Sequence, residues 1–139
     1  MGDNENIFII RKRDICIFIW NNYTQQLKLS RISQSLSISE RSCERIIHDH
    51  LHTTVKYLIN AVRFYKTIEH YERVGGNIVQ AAIENGFSDR QNFNTWWNRL
   101  MKVPFDHQNF DAREIKKEAS SEYTELIEKI LAVIPENLK

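Results

Sequence analysis

A chain of 139 residues, 42% hydrophobic and 11% aromatic, can bury a core as one ordinary domain, which excludes wholesale disorder. Four glycines and two prolines are too few for an all-β protein, which needs a turn about every 8–12 residues, so a mostly helical chain is expected. The net charge of +1 is unevenly spread: residues 26–110 hold eleven Lys and Arg against eight Asp and Glu, and residues 111–139 hold five against seven.

The N-terminus carries Asp3 and Glu5 and then Arg11-Lys12-Arg13, which breaks any signal-peptide pattern. Residues 11–24 read as a first helix, with Ile15, Ile19 and Tyr23 recurring at i+4 and Phe18 and Trp20 widening the stripe. Its apolar run Ile15–Trp20 is far short of the roughly 20 residues that a membrane span needs. Cys16 and Cys43 sit in apolar surroundings without metal spacing, which fits reduced thiols in a cytoplasmic protein. Leu27, Leu29, Ile32 and Leu36 mark a short second helix with Ser30 as its expected N-cap. Ser39 then caps a third, to about His50, with Cys43, Ile46 and Ile47 on its apolar face.

Thr53 or Thr54 caps a long fourth helix with the stripe Val55, Leu58, Ile59, Val62, Tyr65 and Ile68, ended by Gly75-Gly76. Ile78 to Ile83 form a fifth helix. A sixth follows Asn85-Gly86, opened by Ser88, with Phe93, Trp96, Trp97 and Leu100 toward the core. Pro104 and Phe105 begin a closing segment, and Ala112 to Ile134 read as one separate amphipathic helix stopped by Pro135.

The chain repeats itself. Set "ISQSLSIS" (32–39) over "AAIENGFS" (81–88), an offset of 49: Ser33 falls on Ala82, Ser37 on Gly86, Ile38 on Phe87 and Ser39 on Ser88. Each copy is a helix with a small residue for close crossing, a three-residue turn ending in a capping serine, and a second helix. An apolar residue plugs the gap between the two. That is helix-turn-helix logic, and it accounts for the polar N-terminal face of the sixth helix, which fits a DNA major groove. A fourth helix of about 20 residues spans roughly 30 Å, close to the roughly 34 Å between successive major-groove faces on one side of DNA. Two reading heads on one rod could work together.

Over about residues 11–110 the sequence resembles the AraC/XylS family of bacterial transcription regulators. The resemblance rests on "FIWNNYTQQLKLSRISQSLSIS", on Arg63, and above all on "AAIENGFSDRQNFNTWW", where Ala82, Gly86, Phe87, Ser88, Phe93 and Trp97 occupy the family's pattern. It implies an all-α domain of two helix-turn-helix units (about 11–52 and 77–110) joined by a linker helix (about 54–73), with residues 111–139 as an added extension. It also implies a promoter-binding regulator, generally an activator that contacts RNA polymerase. The base-facing candidates it implies are Arg41, Glu44 and Arg45 in the first unit, whose exposed face also offers His48, and Arg90, Gln91, Asn94 and Thr95 in the second. Phosphate contacts fall to the helix starts at Ser39 and Ser88. The sequence departs from the family at Ser37, His52 and Lys102, where glycine is usual, and around "VPFDHQNF".

Other signals carry less. His48-x-His50-x-His52 lacks a Cys or carboxylate to close a metal set, and Arg63 within an apolar stripe suits a structural role. Neither paired carboxylates nor a phosphate loop is evident, so no enzyme activity, metal or cofactor is expected, and no pocket for a small molecule stands out. The extension suits three roles equally by spacing: folding back on the domain, self-association through residues 111–134, or docking a partner protein. Its acidity places it away from DNA. A rival function remains open, an interaction module that uses a degenerate version of this fold without reading DNA.

Overall fold

The computed structural model describes residues 2–105 and 111–139, with side chains from Ile7. Its described helices are α1 (Gly2–Asn22), α2 (Leu29–Leu36), α3 (Glu40–Leu51), α4 (Val55–Val74), α5 (Ile78–Glu84), α6 (Arg90–Leu100), α7 (Ala112–Lys117) and α8 (Ser121–Val133), with a 3₁₀ turn at Glu136–Leu138. The fold is all-α. Among the described residues no helix is long and apolar enough to cross a membrane.

The helices form where side chains satisfy the first orphaned N–H groups. Ser39 accepts from Ser42 N–H, Thr54 from Tyr57 N–H, and Asn77 from Val79 and Gln80 N–H. Two expected caps are corrected. α2 starts at Leu29, its N-cap an extended Lys28 two residues before Ser30 that lends no side chain, and the Ser30 carbonyl instead accepts from Ser33 Oγ. At α6 the cap is Asp89, whose Oδ1 accepts from Asn92 N–H at 2.7 Å, while the Ser88 N–H is held by Asn92 Oδ1. α1 also begins nine residues earlier than expected, since the sequence between Gly2 and Arg11 has no helix-breaking residue.

α4 is the axle of the molecule. Val55, Leu58, Ile59, Ala61, Val62, Phe64 and Ile68 are all buried along it. Ile15, Cys16, Ile19 and Trp20 of α1 and the apolar face of α3 join the same core as Phe93, Trp96, Trp97 and Leu100 of α6. Burial pushes the Cys16 thiol up to about 12, the neighbouring Lys12 opposing only in part, so it stays protonated at neutral pH.

The extension is not one helix. α7 stops at Lys117, and the next residues cross the end of α6, with Lys102 N–H donating to Glu118 O at 2.7 Å and Ser120 N–H to Leu100 O at 2.9 Å. Ser120 then caps α8 by accepting from Tyr123 N–H. The bridge satisfies backbone groups that α6 leaves open at its end, and the serine makes a restart inexpensive. Beyond the break, the extension folds back. Tyr123 meets the Phe64 ring edge-on at 5.4 Å, Lys116 pairs with Glu72 at 2.6 Å, and Trp20 Nε1 donates to the Leu138 carbonyl at 2.9 Å. Of the closing segment, residues 106–110 lie outside the described residues.

Candidate nucleic-acid interface

The two repeats share the hydrogen bonds of their helix exits and then slip. Ile38 N–H donates to Ser33 O and Phe87 N–H to Ala82 O, an offset of 49, but the capped helices align at 50: Cys43 N–H to Ser39 O, Phe93 N–H to Asp89 O. The second turn therefore holds one more residue, and Gln91, Asn94 and Thr95 are the counterparts of Arg41, Glu44 and Arg45. Burial repeats at the same offset, with Cys43, Ile46 and Ile47 buried like Phe93, Trp96 and Trp97.

Both turns leave the first helix through a residue of positive φ, 55° at Ser37 and 108° at Gly86. A Cβ at Gly86 would run into the carbonyl of Tyr23 and the side chain of Arg63, so only glycine fits there. Arg63 has the structural role its setting suggested. Its Nε donates to Tyr23 O and its Nη2 to Gln25 O, both at 2.8 Å, which ties the α1–α2 loop to α4. Burial holds its guanidinium below the usual arginine range. Asn85 is a second tie: buried, it accepts from Tyr23 OH, donates to Ala81 O, and lies 3.0 Å from His70 Nδ1.

Of the expected reading residues, Arg41, Arg45 and His48 are exposed on α3, and Arg90, Gln91 and Thr95 on α6; Asn94 is half-buried. The Thr95 hydroxyl donates to Gln91 O, and His48 Nδ1 lies 3.2 Å from Asp49 Oδ1. The Ser39 hydroxyl is engaged in capping and donates to Ser42 Oγ, whereas Ser88 is exposed ahead of α6. Glu44 is half-buried, and its Oε2 accepts from Val55 N–H at the start of α4, where a carboxylate meets the helix's positive end.

A cleft of mixed lining joins the two units. Its walls include Glu44 of α3, Lys56 and Arg63 of α4, Lys28 of the α1–α2 loop, and Ser88 and Asn92 before and within α6. Three cations face one carboxylate that is already engaged. Lys28 and Lys56, both exposed, were not among the expected contacts, since each looks like any solvated lysine in sequence. No described residue of the extension lines this cleft; on the two reading helices it meets the end of α6 and the far end of α3, where Glu122 and Glu125 approach Leu51 and His52. It does add a smaller apolar cleft beneath itself, lined by Phe64, Ile68, Ile115, Tyr123 and Ile127, where no pocket was expected.

A family model described as a helix-turn-helix domain matches residues 32–107, more than half of the chain. No curated protein and no solved structure matches it.

Proposed function

The chain belongs to the AraC-type helix-turn-helix family, whose domains bind DNA in transcription regulation, and on that premise we propose that it reads promoter DNA with α3 and α6 in adjacent major grooves. Arg41, Arg45 and His48 face bases from α3; Arg90, Gln91, Asn94 and Thr95 do so from α6. Arginine suits guanine O6 and N7, and Asn or Gln suits adenine. Glu44 reads no base; it braces the junction of α3 with α4. The phosphates between the two grooves pass over the cleft, where Lys28 and Lys56 neutralise them, with Ser88 at the positive end of α6. The regulator works in the cytoplasm as an activator that contacts RNA polymerase.

The observation that supports this reading is that two equivalent helix faces, both uncovered, flank one basic cleft. The test is a gel-shift series on promoter fragments at two salt concentrations. Sequence preference with a steep salt dependence is expected, and Lys56→Ala should lower the salt slope by about 1 while weakening all sequences alike. Binding that is insensitive to salt and unchanged in Gln91→Ala would refute it, and capture of RNA polymerase in the presence of nuclease without any gel shift would favour an interaction module.

A further inference from the structure

The extension folds back on α4 without filling the space that it encloses. Between α4 on one side and α7, residue 119 and α8 on the other lies a cleft of about 260 Å³. An apolar cavity of about 150 Å³ already holds a benzene ring, so this one has room for a ring system with a short arm. Its floor is apolar, with Phe64, Ile68, Ile115 and Ile127 all buried. One side chain lining it carries a polar group without a partner. Tyr123 is 8% exposed, and its hydroxyl makes no hydrogen bond among the described residues. Burial pushes that hydroxyl up from its usual range, so it stays protonated and can accept as well as donate.

The rim is charged unevenly. Glu69, Glu72 and Glu128, all exposed, line it against a single ammonium, Lys116. Lys116 is taken by Glu72 at 2.6 Å. Glu69 lies 3.6 Å from Lys66, whose ammonium also sits over the Trp20 ring at 4.1 Å. Lys139 acts on Tyr65 from the chain end but is held by Glu136 at 2.8 Å. Glu128 has no ion-pair partner among the described residues. The rim therefore has carboxylate to spare.

We propose that this cleft is a ligand site for a small organic cation, an apolar ring body that carries one ammonium group. The ring lies on the buried floor, and the ammonium pairs with the rim carboxylates, Glu128 and Glu69, with the Tyr123 hydroxyl as a further acceptor. Burial of the ring supplies the affinity and the rim supplies the selection. An anion of the same shape would meet three carboxylates and be rejected. The Glu72–Lys116 pair bridges the two walls, which favours a compact ligand over a peptide laid along the cleft.

Calorimetry on the full chain, without DNA, tests this with tryptamine, indole and indole-3-propionate as probes, and its outcome does not depend on whether the protein reads promoters. Tryptamine should bind with a Kd of about 10–500 µM and raise the melting temperature. Indole, which lacks the charge, should bind about tenfold more weakly, and indole-3-propionate more weakly still. Glu69→Gln with Glu128→Gln changes two exposed side chains and should keep the melting temperature of the free chain. It should weaken tryptamine about tenfold and leave indole unchanged. Ala119→Leu, or Thr124→Leu at the exposed edge should that chain not fold, fills the cleft and should abolish binding of both. No tryptamine binding up to about 5 mM, indole-3-propionate bound as tightly as tryptamine, or tryptamine binding unchanged in the double Gln variant or in a folded cleft-filling variant would each overturn the proposal.

Discussion

The two helix-turn-helix units follow one backbone path, but different forces hold them to it. In the second, Gly86 lies against the carbonyl of Tyr23 and the Arg63 side chain, Asn85 is tied to Tyr23 and His70, and the plug Phe87 is buried in edge-to-face contact with Phe93 at 5.4 Å. The rings continue through Trp97 and Phe64 to Tyr123 of the extension. In the first, Ser37 takes its positive φ with its side chain in solvent, the plug Ile38 is only half-buried, and the core beneath α3 is Cys43, Ile46 and Ile47. One turn is enforced by tertiary contact and the other by local hydrogen bonds against conformational strain. The second turn is thus packed on the same Arg63 that ties the α1–α2 loop of the first unit to α4.

The largest effect should come from Gly86→Ala, which combines an unfavourable φ with a clash against backbone and Arg63. We expect a loss of about 2–4 kcal/mol in denaturant unfolding, whereas Ser37→Ala, already a residue with a Cβ, should stay within about 0.5 kcal/mol. Equal costs at the two turns would break the contrast. Next, Arg45→Ala and Gln91→Ala should each weaken binding to a preferred promoter fragment by about 1–3 kcal/mol and relax base choice, with unchanged melting temperatures. If only Gln91→Ala does so, the first unit positions the protein and the second alone reads.

A smaller effect separates the two caps. Asp89→Ala should cost about 1 kcal/mol of stability by thermal melting, and Ser88→Ala much less, because Ser88 uses its backbone and not its hydroxyl there. The smallest effect has the opposite sign. Ser37→Gly relieves the left-handed strain at a cost in unfolded-chain entropy, so a net gain of about 0.5–1 kcal/mol is expected. His52→Gly, at φ 56°, should behave alike. A loss at either position would mean that the strain is compensated by contacts of the side chain.

Much of this was legible in residues that act locally. Ser39 and Thr54 cap where their sequence positions said they would, and the Phe93, Trp96, Trp97, Leu100 stripe is buried as its spacing required. Ser88 and Asp89 were harder, because either can accept from the first turn and only the path out of Gly86 chooses between them. The one-residue slip between repeats follows from that choice. The tie of Glu44 to Val55 N–H was not legible, because nothing local reveals a group eleven residues away as its partner.

The sequence alone determined the helices α2 to α6, the double turn and the family, since periodicity, capping and the glycine of a tight turn act within a few residues of chain. Tertiary structure decided which charges are engaged and which remain open, where the extension breaks, and that the two units share a cleft. Each of these depends on groups far apart in sequence, and a contact between such groups leaves no periodic mark in either segment.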